Sequence, residues 1–346
     1  MKRADRPSQV TMEDVARVAG VSRMTVSRAL RDDGSVSTRT REKILGIVAD
    51  MNYLPDQMAG SLSTKRSGFL ATLVPSLNNV HYAEMVQALT EGIESTDMQI
   101  LLGHTDYSKI REEHLVESML KRRPEAIALP YDGHSDRTIT LLKNANIPVI
   151  ELWEIPPDPI GFTIGFSNEK ASYDMTRKLI ELGYQNIAFL CETNDVWTRG
   201  ASRRVGFRKA MTDAGLSAHR MIRYGTPPMS IQDGYFIGQH LDQYHDDIDC
   251  VFCVSDLPAF GLLTALREQG VHVPSDVGIT GFGNFEVSRF TVPSISTVQV
   301  DPVEIGRLAA ELVVKLQGND AKTARIQKRH TVGVTLNMRD STRREQ

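Results

Sequence analysis

Between Phe69 and Gln317 the chain alternates short apolar runs with longer stretches of helical periodicity, and this rhythm constrains the fold more than any other feature. The apolar runs are FLATLVP (69–75), MQILLG (98–103), AIALP (126–130) and PVIEL (148–152), then NIAFLC (186–191), MIRYG (221–225), CVFCVS (250–255) and VGITGF (277–282). Helical patterns fall at 81–95, 109–122, 135–145, 170–182, 202–214, 231–244, 257–269 and 302–317. Strands alternating with helices of this length pair in parallel through right-handed crossovers. Two groups of such units predict an α/β body of two similar lobes with a cleft between them. Open parallel sheets bind ligands beyond the carboxyl ends of their strands. The loops after Pro75, Leu152, Cys191 and Val254 are therefore the places to look.

The first 55 residues follow a different pattern. Residues 11–30, TMEDVARVAGVSRMTVSRAL, are two short apolar-periodic segments joined at Gly20. Thr11 is placed to cap the first, with Asp14 as its acidic partner three residues on. Ser22 is placed to cap the second. Val26, Ala29 and Leu30 point inward there, while Arg23, Met24, Ser27 and Arg28 point outward. Two helices crossing at a glycine turn, the second polar and basic outside, describe a helix-turn-helix, whose second helix lies in a DNA major groove. A third helix is predicted over TREKILGIVADM, with Ile44, Ile47, Val48 and Met51 on one face, ended by Asn52-Tyr53-Leu54-Pro55. Residues 56–67 are too short for a stable free helix. They read either as a flexible linker or as a segment that orders only on DNA.

Charge follows the same division. Residues 1–66 carry 12 Lys/Arg against 8 Asp/Glu, whereas the remaining 280 carry 28 against 35. A basic head on an acidic body suits a nucleic-acid-binding end. No N-terminal run is apolar enough for a signal peptide, and no 18-residue apolar stretch occurs, so a cytoplasmic (nucleoid-associated) protein without membrane contact is expected. Cys191, Cys250 and Cys253 are too few for a disulfide framework. Cys250 and Cys253 match C-x-x-C, but within a strand residues three apart face opposite ways, so structural thiols are expected and no metal.

Enzyme chemistry finds little support. Gly281-Phe-Gly283 lacks the third glycine of a dinucleotide fingerprint, and no Walker A, G-x-S-x-G or H-E-x-x-H motif occurs. His104, His134, His240 and His330 share no spacing. No catalytic residue and no cofactor is expected.

Head and body together resemble the LacI/GalR family of bacterial repressors over nearly the whole chain. The resemblance rests on VTMEDVARVAGVSRMTVSRAL (10–30), VSTRTREKI (36–44), MNYLPDQMAGSL (51–62), VPSISTVQVDPVEIGRLAAELV (292–313) and the tail Arg339-Asp340-Ser341-Thr342. Within that family the body is most similar to gluconate-type repressors, through LVPSLNN (73–79), ESML (117–120), IPVIEL (147–152) and IGFSN (164–168).

The resemblance implies a helix-turn-helix head (1–55), a hinge helix or linker (56–67) and a two-lobed, periplasmic-binding-protein-like body for effector binding and dimerisation (68–346). On the head it assigns Arg23, Met24 and Arg28 to base contacts. Each arginine suits either guanine O6/N7 or a phosphate, and Met24 an apolar contact such as a thymine methyl. Thr11, Ser22, Thr25, Ser27, Thr40 and Tyr53 fit phosphate contacts. Leu62 falls where the family inserts a leucine wedge into the minor groove, beside the small Ala59; its alternative is a core contact with the body. Paired wedges imply a homodimer on a pseudo-palindromic operator.

On the body the resemblance places an effector between the lobes. Asp256 matches an acidic residue that accepts sugar hydroxyls, and equally suits the cap of the helix that follows it. Arg203 matches an arginine whose fork suits a carboxylate. Tyr82, with His81 beside it, matches an aromatic position at the start of the first body helix, with a surface location as the alternative for both, and Asn168 and Asn284 sit on loops at strand ends. Where many members carry an aspartate five residues after the equivalent of Pro148, this chain has Trp153, flanked by Glu151 and Glu154. Trp153 suits stacking on a sugar face, with a glutamate taking the hydroxyls.

The expected function is a sequence-specific repressor of carbohydrate-metabolism genes. Its operator affinity would be changed by a sugar or sugar acid, gluconate or a ketogluconate, acting as inducer. Closure of the lobes would disorder residues 56–63 and withdraw Leu62. A neutral-sugar regulator and a transport-type binding protein are the alternatives.

Overall fold

The computed structural model describes residues 10–31, 34–54, 67–193, 199–244, 247–317 and 326–344. It divides into two compact units, 1–67 and 68–346. Ala59 and Leu62 lie outside the described residues.

The head holds α1 (Met12–Ala19), α2 (Arg23–Leu30) and α3 (Thr38–Asp50). Thr11 closes α1 with a full capping box: its hydroxyl accepts from the Asp14 amide, and Asp14 accepts from the Thr11 amide at 3.0 Å. Gly20 ends α1 at φ 70, a left-handed conformation that costs a side-chain-bearing residue about 1–2 kcal/mol. Ser22 caps α2 and Ser37 caps α3 through the amides of Thr25 and Thr40. Val15, Ala16, Ala19, Val26, Ala29, Ile44 and Tyr53 form the buried core. The third helix ends at Asp50 with Met51 as its cap, directly ahead of the Asn52-Tyr53-Leu54-Pro55 segment expected to stop it. Asn52 adopts φ 48, and the Tyr53 amide returns to the Val48 carbonyl at 3.0 Å, a left-handed ending that asparagine tolerates well. Lys43 Nζ donates to the Ala19 carbonyl at 2.9 Å and Arg41 Nε to the Ala29 carbonyl at 3.2 Å, so cations from α3 meet the carboxyl ends of α1 and α2.

Among the described residues the body contains two six-stranded sheets. The first is built from β1 (Phe69–Val74), β2 (Gln99–His104), β3 (Ala126–Pro130), β4 (Val149–Glu154) and β5 (Phe162–Phe166), joined by α4 (Val80–Gly92), α5 (Lys109–Leu120) and α6 (Asp136–Asn144). The second begins after α7 (Asn168–Glu181) and comprises β6 (Ile187–Cys191), β7 (Met221–Arg223), β8 (Cys250–Cys253), β9 (Gly278–Gly283) and β10 (Ser296–Gln299), with α8 (Arg199–Asp213), α9 (Ile231–Gln239), α10 (Asp256–Glu268) and the short α11 (Glu286–Phe290). α12 (Pro302–Gln317) returns to the first lobe and packs on α4, followed there by β11 (Arg329–Thr331). β12 (Thr335–Asn337) then closes the second sheet.

The strand orders are β2-β1-β3-β4-β5-β11 and β7-β6-β8-β9-β10-β12, all parallel except the β10–β12 pair. Both lobes repeat one topology, and the chain crosses between them three times, near 166–168, 299–302 and 331–335. The predicted alternation is recovered, with the fifth and edge strands added. β5 and β10 are short and carry threonine, serine and glycine, so no apolar run announces them. The helix expected over 231–244 ends at Gln239 and gives way to a 3-10 turn at Leu241–Gln243. The three cysteines are buried free thiols on strands, and burial pushes each thiol pKa up. No helix among the described residues is long and apolar enough to cross a membrane.

Candidate functional site

On the head, α2 turns Arg23, Met24 and Arg28 to solvent, with Met24 62% exposed. Arg23 lies 3.7 Å from Glu13 on the preceding helix. Thr25 pairs its hydroxyl with Ser22 at 2.9 Å, Thr40 with Ser37 at 2.8 Å, and Ser27 accepts from Arg31 at 2.8 Å. These hydroxyls thus hold the helix ends and outer face in shape. Tyr53 is 7% exposed, its ring a part of the head's core.

In the body, a cleft lies between the lobes at the carboxyl ends of both sheets, where the chain topology places it. It encloses about 800 Å³ of atom-free space, part of it open to solvent. Asn79, His81, Tyr82, Tyr107, Asp132 and Trp153 line it from the first lobe; Glu192, Arg199, Arg203, Val254, Phe282 and Phe285 are among those lining it from the second.

His81 and Tyr82 are both buried, in the first turn of α4. The His81 ring meets Phe285 across the lobes at 4.2 Å between centroids, and its Nδ1 lies 3.3 Å from Glu84. Burial lowers its pKa, against the opposing pull of Glu84. Tyr82 sets its ring edge-on to Trp153 at 5.2 Å.

Trp153 reaches the cleft by an unusual route. Ile150 and Leu152 face the main core, Val149 the outer one. Simple alternation would send Trp153 outward with Val149. Its φ of 74 breaks that alternation and brings the indole to the cleft side, where Nε1 donates to Met85 Sδ at 3.0 Å. A bulky residue at positive φ is a true outlier, and such strain gathers at functional sites. The paired residue on β5 is Gly165, where any Cβ would lie 2.7 Å from the Trp153 carbonyl carbon.

Glu151 keeps the regular alternation and faces away from the cleft. It accepts from the Ile160 amide at 2.7 Å and lies 3.8 Å from His134, which in turn meets Glu112 at 2.7 Å. Glu154 is buried against the Asn168 and Ile155 amides, and burial raises its pKa.

Arg203, on α8, donates from Nε to Asn168 at 2.8 Å and from Nη1 to the Val254 carbonyl at 2.7 Å, with its guanidinium 3.6 Å above the Phe282 ring. Burial, then the repulsion of Arg199, pushes its pKa down to about 10. Asn168 therefore orients Arg203. Arg199 lies one helical turn earlier. It meets Asp132 from Nε at 3.0 Å and also donates to the Tyr82 hydroxyl. Burial is the largest influence and opposes its charge, but Asp132, Tyr82 and Tyr107 together outweigh it and the pKa is raised. Tyr107 follows Asp106 in the loop after β2, both at positive φ (55 and 54). Burial raises the Tyr107 pKa, followed by the influence of Tyr82.

Asp256 opens α10 fully buried, behind the cleft wall. It accepts from the Thr297 hydroxyl at 2.6 Å and from the Phe285 amide at 2.7 Å, and so fixes the loop that presents Phe285. Asn284 lies on the same loop at φ 59 and accepts from Arg339 at 2.5 Å, tying it to the tail. Neither lines the cleft. Burial pushes the Asp256 pKa up to about 6 from 3.8. A raised carboxyl pKa gives stability that is complete below 3.8 and is lost as pH rises through about 6. Asp256→Asn should therefore gain about 3 kcal/mol relative to the parent between pH 3.5 and pH 7. Paired denaturation curves across that range check this, and a pH-independent difference would refute it.

The geometry thus gathers His81, Tyr82, Trp153 and Arg203 at one cleft, with Asn168 behind Arg203, and leaves Glu151, Asp256 and Asn284 off its surface. Sequence reasoning missed Asp132, Tyr107, Glu192, Arg199, Phe282 and Phe285. Glu192 does sit on a loop singled out beforehand, immediately after Cys191. For Arg199 the available signal was its spacing of four from Arg203, which puts both on one helix face.

Comparison with known proteins agrees with this architecture. A family described as bacterial regulatory proteins, lacI family, matches residues 11–56, and a periplasmic binding protein-like domain matches residues 176–342. The Escherichia coli (strain K12) HTH-type transcriptional regulator IdnR is 32% identical over 91% of this chain and 94% of its own length. A crystal structure of a LacI family transcriptional regulator from Silicibacter pomeroyi is 51% identical, covers 80% of this chain and all of that one, and superposes with a TM-score of 0.76. Another from the same organism is 30% identical over 97% of this chain and 100% of its own, with a TM-score of 0.87. With the head on its own core and the cleft on both sheets, the chain belongs to the LacI family of bacterial transcriptional regulators, DNA-binding repressors whose activity is altered by a small molecule bound in the C-terminal domain.

Proposed function

We propose that this regulator responds to a sugar acid, gluconate or a ketogluconate, which induces by weakening operator binding. The observation that carries this reading is a pair of guanidinium groups, Arg199 and Arg203, on one face of α8 and turned into a partly closed cleft. Two buried cations repel each other, and a ligand carboxylate beside them would relieve the repulsion while accepting hydrogen bonds. Tyr82, Trp153, Phe282 and Phe285 offer ring faces for the C–H surface of the sugar chain. Glu192 offers acceptors for its hydroxyls. Titration of the protein with gluconate, 2-ketogluconate, glucose and ribose tests the reading. Tight binding of one acid with release of a labelled operator supports it. Binding of a neutral sugar alone would keep a sugar-responsive repressor and discard the acid.

The protein acts as a homodimer on a pseudo-palindrome, each head laying α2 in the major groove and residues 56–63 serving as hinge. Arg23, Met24 and Arg28 supply the exposed face. Arg28→Ala should cost about 1–3 kcal/mol of operator affinity if the arginine reads a guanine, with specificity relaxed at one position. A uniform loss across sequences, with a shallower salt dependence, would assign it to phosphate instead. Fluorescence anisotropy with the operator and single-base variants distinguishes the two.

A further inference from the structure

The cleft contains a second use of Arg199 that the family resemblance does not supply. Asp132, on the loop after β3 in the first lobe, grips this arginine of the second lobe. Its Oδ1 lies 3.0 Å from Arg199 Nε and accepts from the Arg199 amide at 3.3 Å, and its Oδ2 accepts from Nη2 at 3.2 Å. This is the side-on, two-toothed geometry by which an arginine takes a carboxylate. The two partners are unequally enclosed. The Arg199 side chain is 8% exposed and that of Asp132 21%. A cation buried to that degree cannot be left without an anion, because an uncompensated buried charge is strongly destabilising. A carboxylate at the solvent edge has an alternative in water.

We propose that Asp132 is a built-in competitor for the carboxylate of the effector: its side chain fills the anion slot of Arg199 in the unliganded cleft and must be displaced before an acidic ligand can bind there. This rests on the sugar-acid reading of the cleft. Asp132 is then a specificity-determining residue. Neutral polyols cannot replace its charge on Arg199, so they fail to open the pair, while an acid exchanges one carboxylate for another at no loss of charge balance. The exchange also removes a tie between the lobes and substitutes a ligand that touches both, through Arg199 on one side and Tyr82 and Trp153 on the other.

The full-length protein and its Asp132→Asn variant, titrated calorimetrically with gluconate and with glucitol, provide the test. A site filled by its own carboxylate nine-tenths of the time binds about tenfold more weakly than an open one. Asp132→Asn should therefore bind gluconate about tenfold more tightly, with glucitol affinity unchanged. Weaker gluconate binding would make Asp132 a direct ligand contact and overturn the proposal. An equal gain for both ligands would also overturn it, since the residue would then only hold the lobes together. Should Asp132→Asn not fold, Asp132→Ser carries the same expectation.

Acetate separates this proposal from the sugar-acid reading. It should raise the Tm of Asp132→Asn but not of the parent, and Arg199→Met in the same background should remove the effect. That result without gluconate binding by the parent would retain the competitor and discard the sugar acid. No acetate effect, with gluconate bound normally, would retain the sugar acid and discard the competitor.

Discussion

Arg203→Ala should lower the affinity for a sugar-acid effector by about a hundredfold or more, while operator binding in the absence of effector persists. The guanidinium is held by Asn168 and the Val254 carbonyl and rests on Phe282, so little of its ordering cost remains to be met on binding. Losing one partner of a desolvated, hydrogen-bonded charge pair costs about 2–5 kcal/mol, and hence roughly 30-fold to several thousandfold in affinity. The variant repressor would stay on its operator at effector concentrations that release the parent. Arg203→Lys should recover only part of the loss, because a lysine keeps the charge but has no planar fork. Calorimetry and operator release measured together decide the matter. If Arg203→Ala bound the effector as the parent does, the carboxylate would have to be assigned elsewhere.

A large loss of stability is expected at a position far from any ligand. Gly261 lies within α10, where it crosses α9, and a Cβ built there would stand 1.9 Å from the Ile231 carbonyl oxygen and 2.6 Å from the Tyr235 amide nitrogen. Gly234 on the facing helix is equally tight, 2.0 Å from the Pro258 carbonyl oxygen. Both obstacles are backbone, so the helices themselves must separate. In an open helix, replacing glycine by alanine stabilises by about 1 kcal/mol. Here overpacking reverses the sign, and Gly261→Ala should cost about 3 kcal/mol in chemical denaturation. Gly46 in α3 has nothing within 4 Å of its built Cβ, so Gly46→Ala should stabilise the head slightly. An unchanged denaturation midpoint for Gly261→Ala would mean that the two helices are not pressed together by their backbones.

The parts of this protein legible in its sequence are those governed by local chemistry. Thr11 and Ser22 mark their helices because a hydroxyl must meet amides three residues on, whatever the rest of the chain does. Apolar runs such as AIALP mark central strands because both faces of a parallel sheet are buried. β5 and β10 were not legible, since FTIGF and STVQ owe their places to neighbouring strands. The cleft divides the same way. His81, Tyr82 and Arg203 could be placed from their motif positions, and Asp256 and Asn284 could be named, though not set behind the wall.

What the sequence determined alone was the alternation of central strands and helices, the caps at Thr11 and Ser22 and the basic outer face of α2, all set by contacts within a few residues. What only the tertiary structure decided was which side of a strand each residue faces and who meets it across the lobes. Trp153 turns inward through a single positive φ beside Gly165, Glu151 turns outward toward His134, and Arg199 meets an aspartate 67 positions away. Those outcomes depend on pairing and burial between distant segments, which no local pattern encodes.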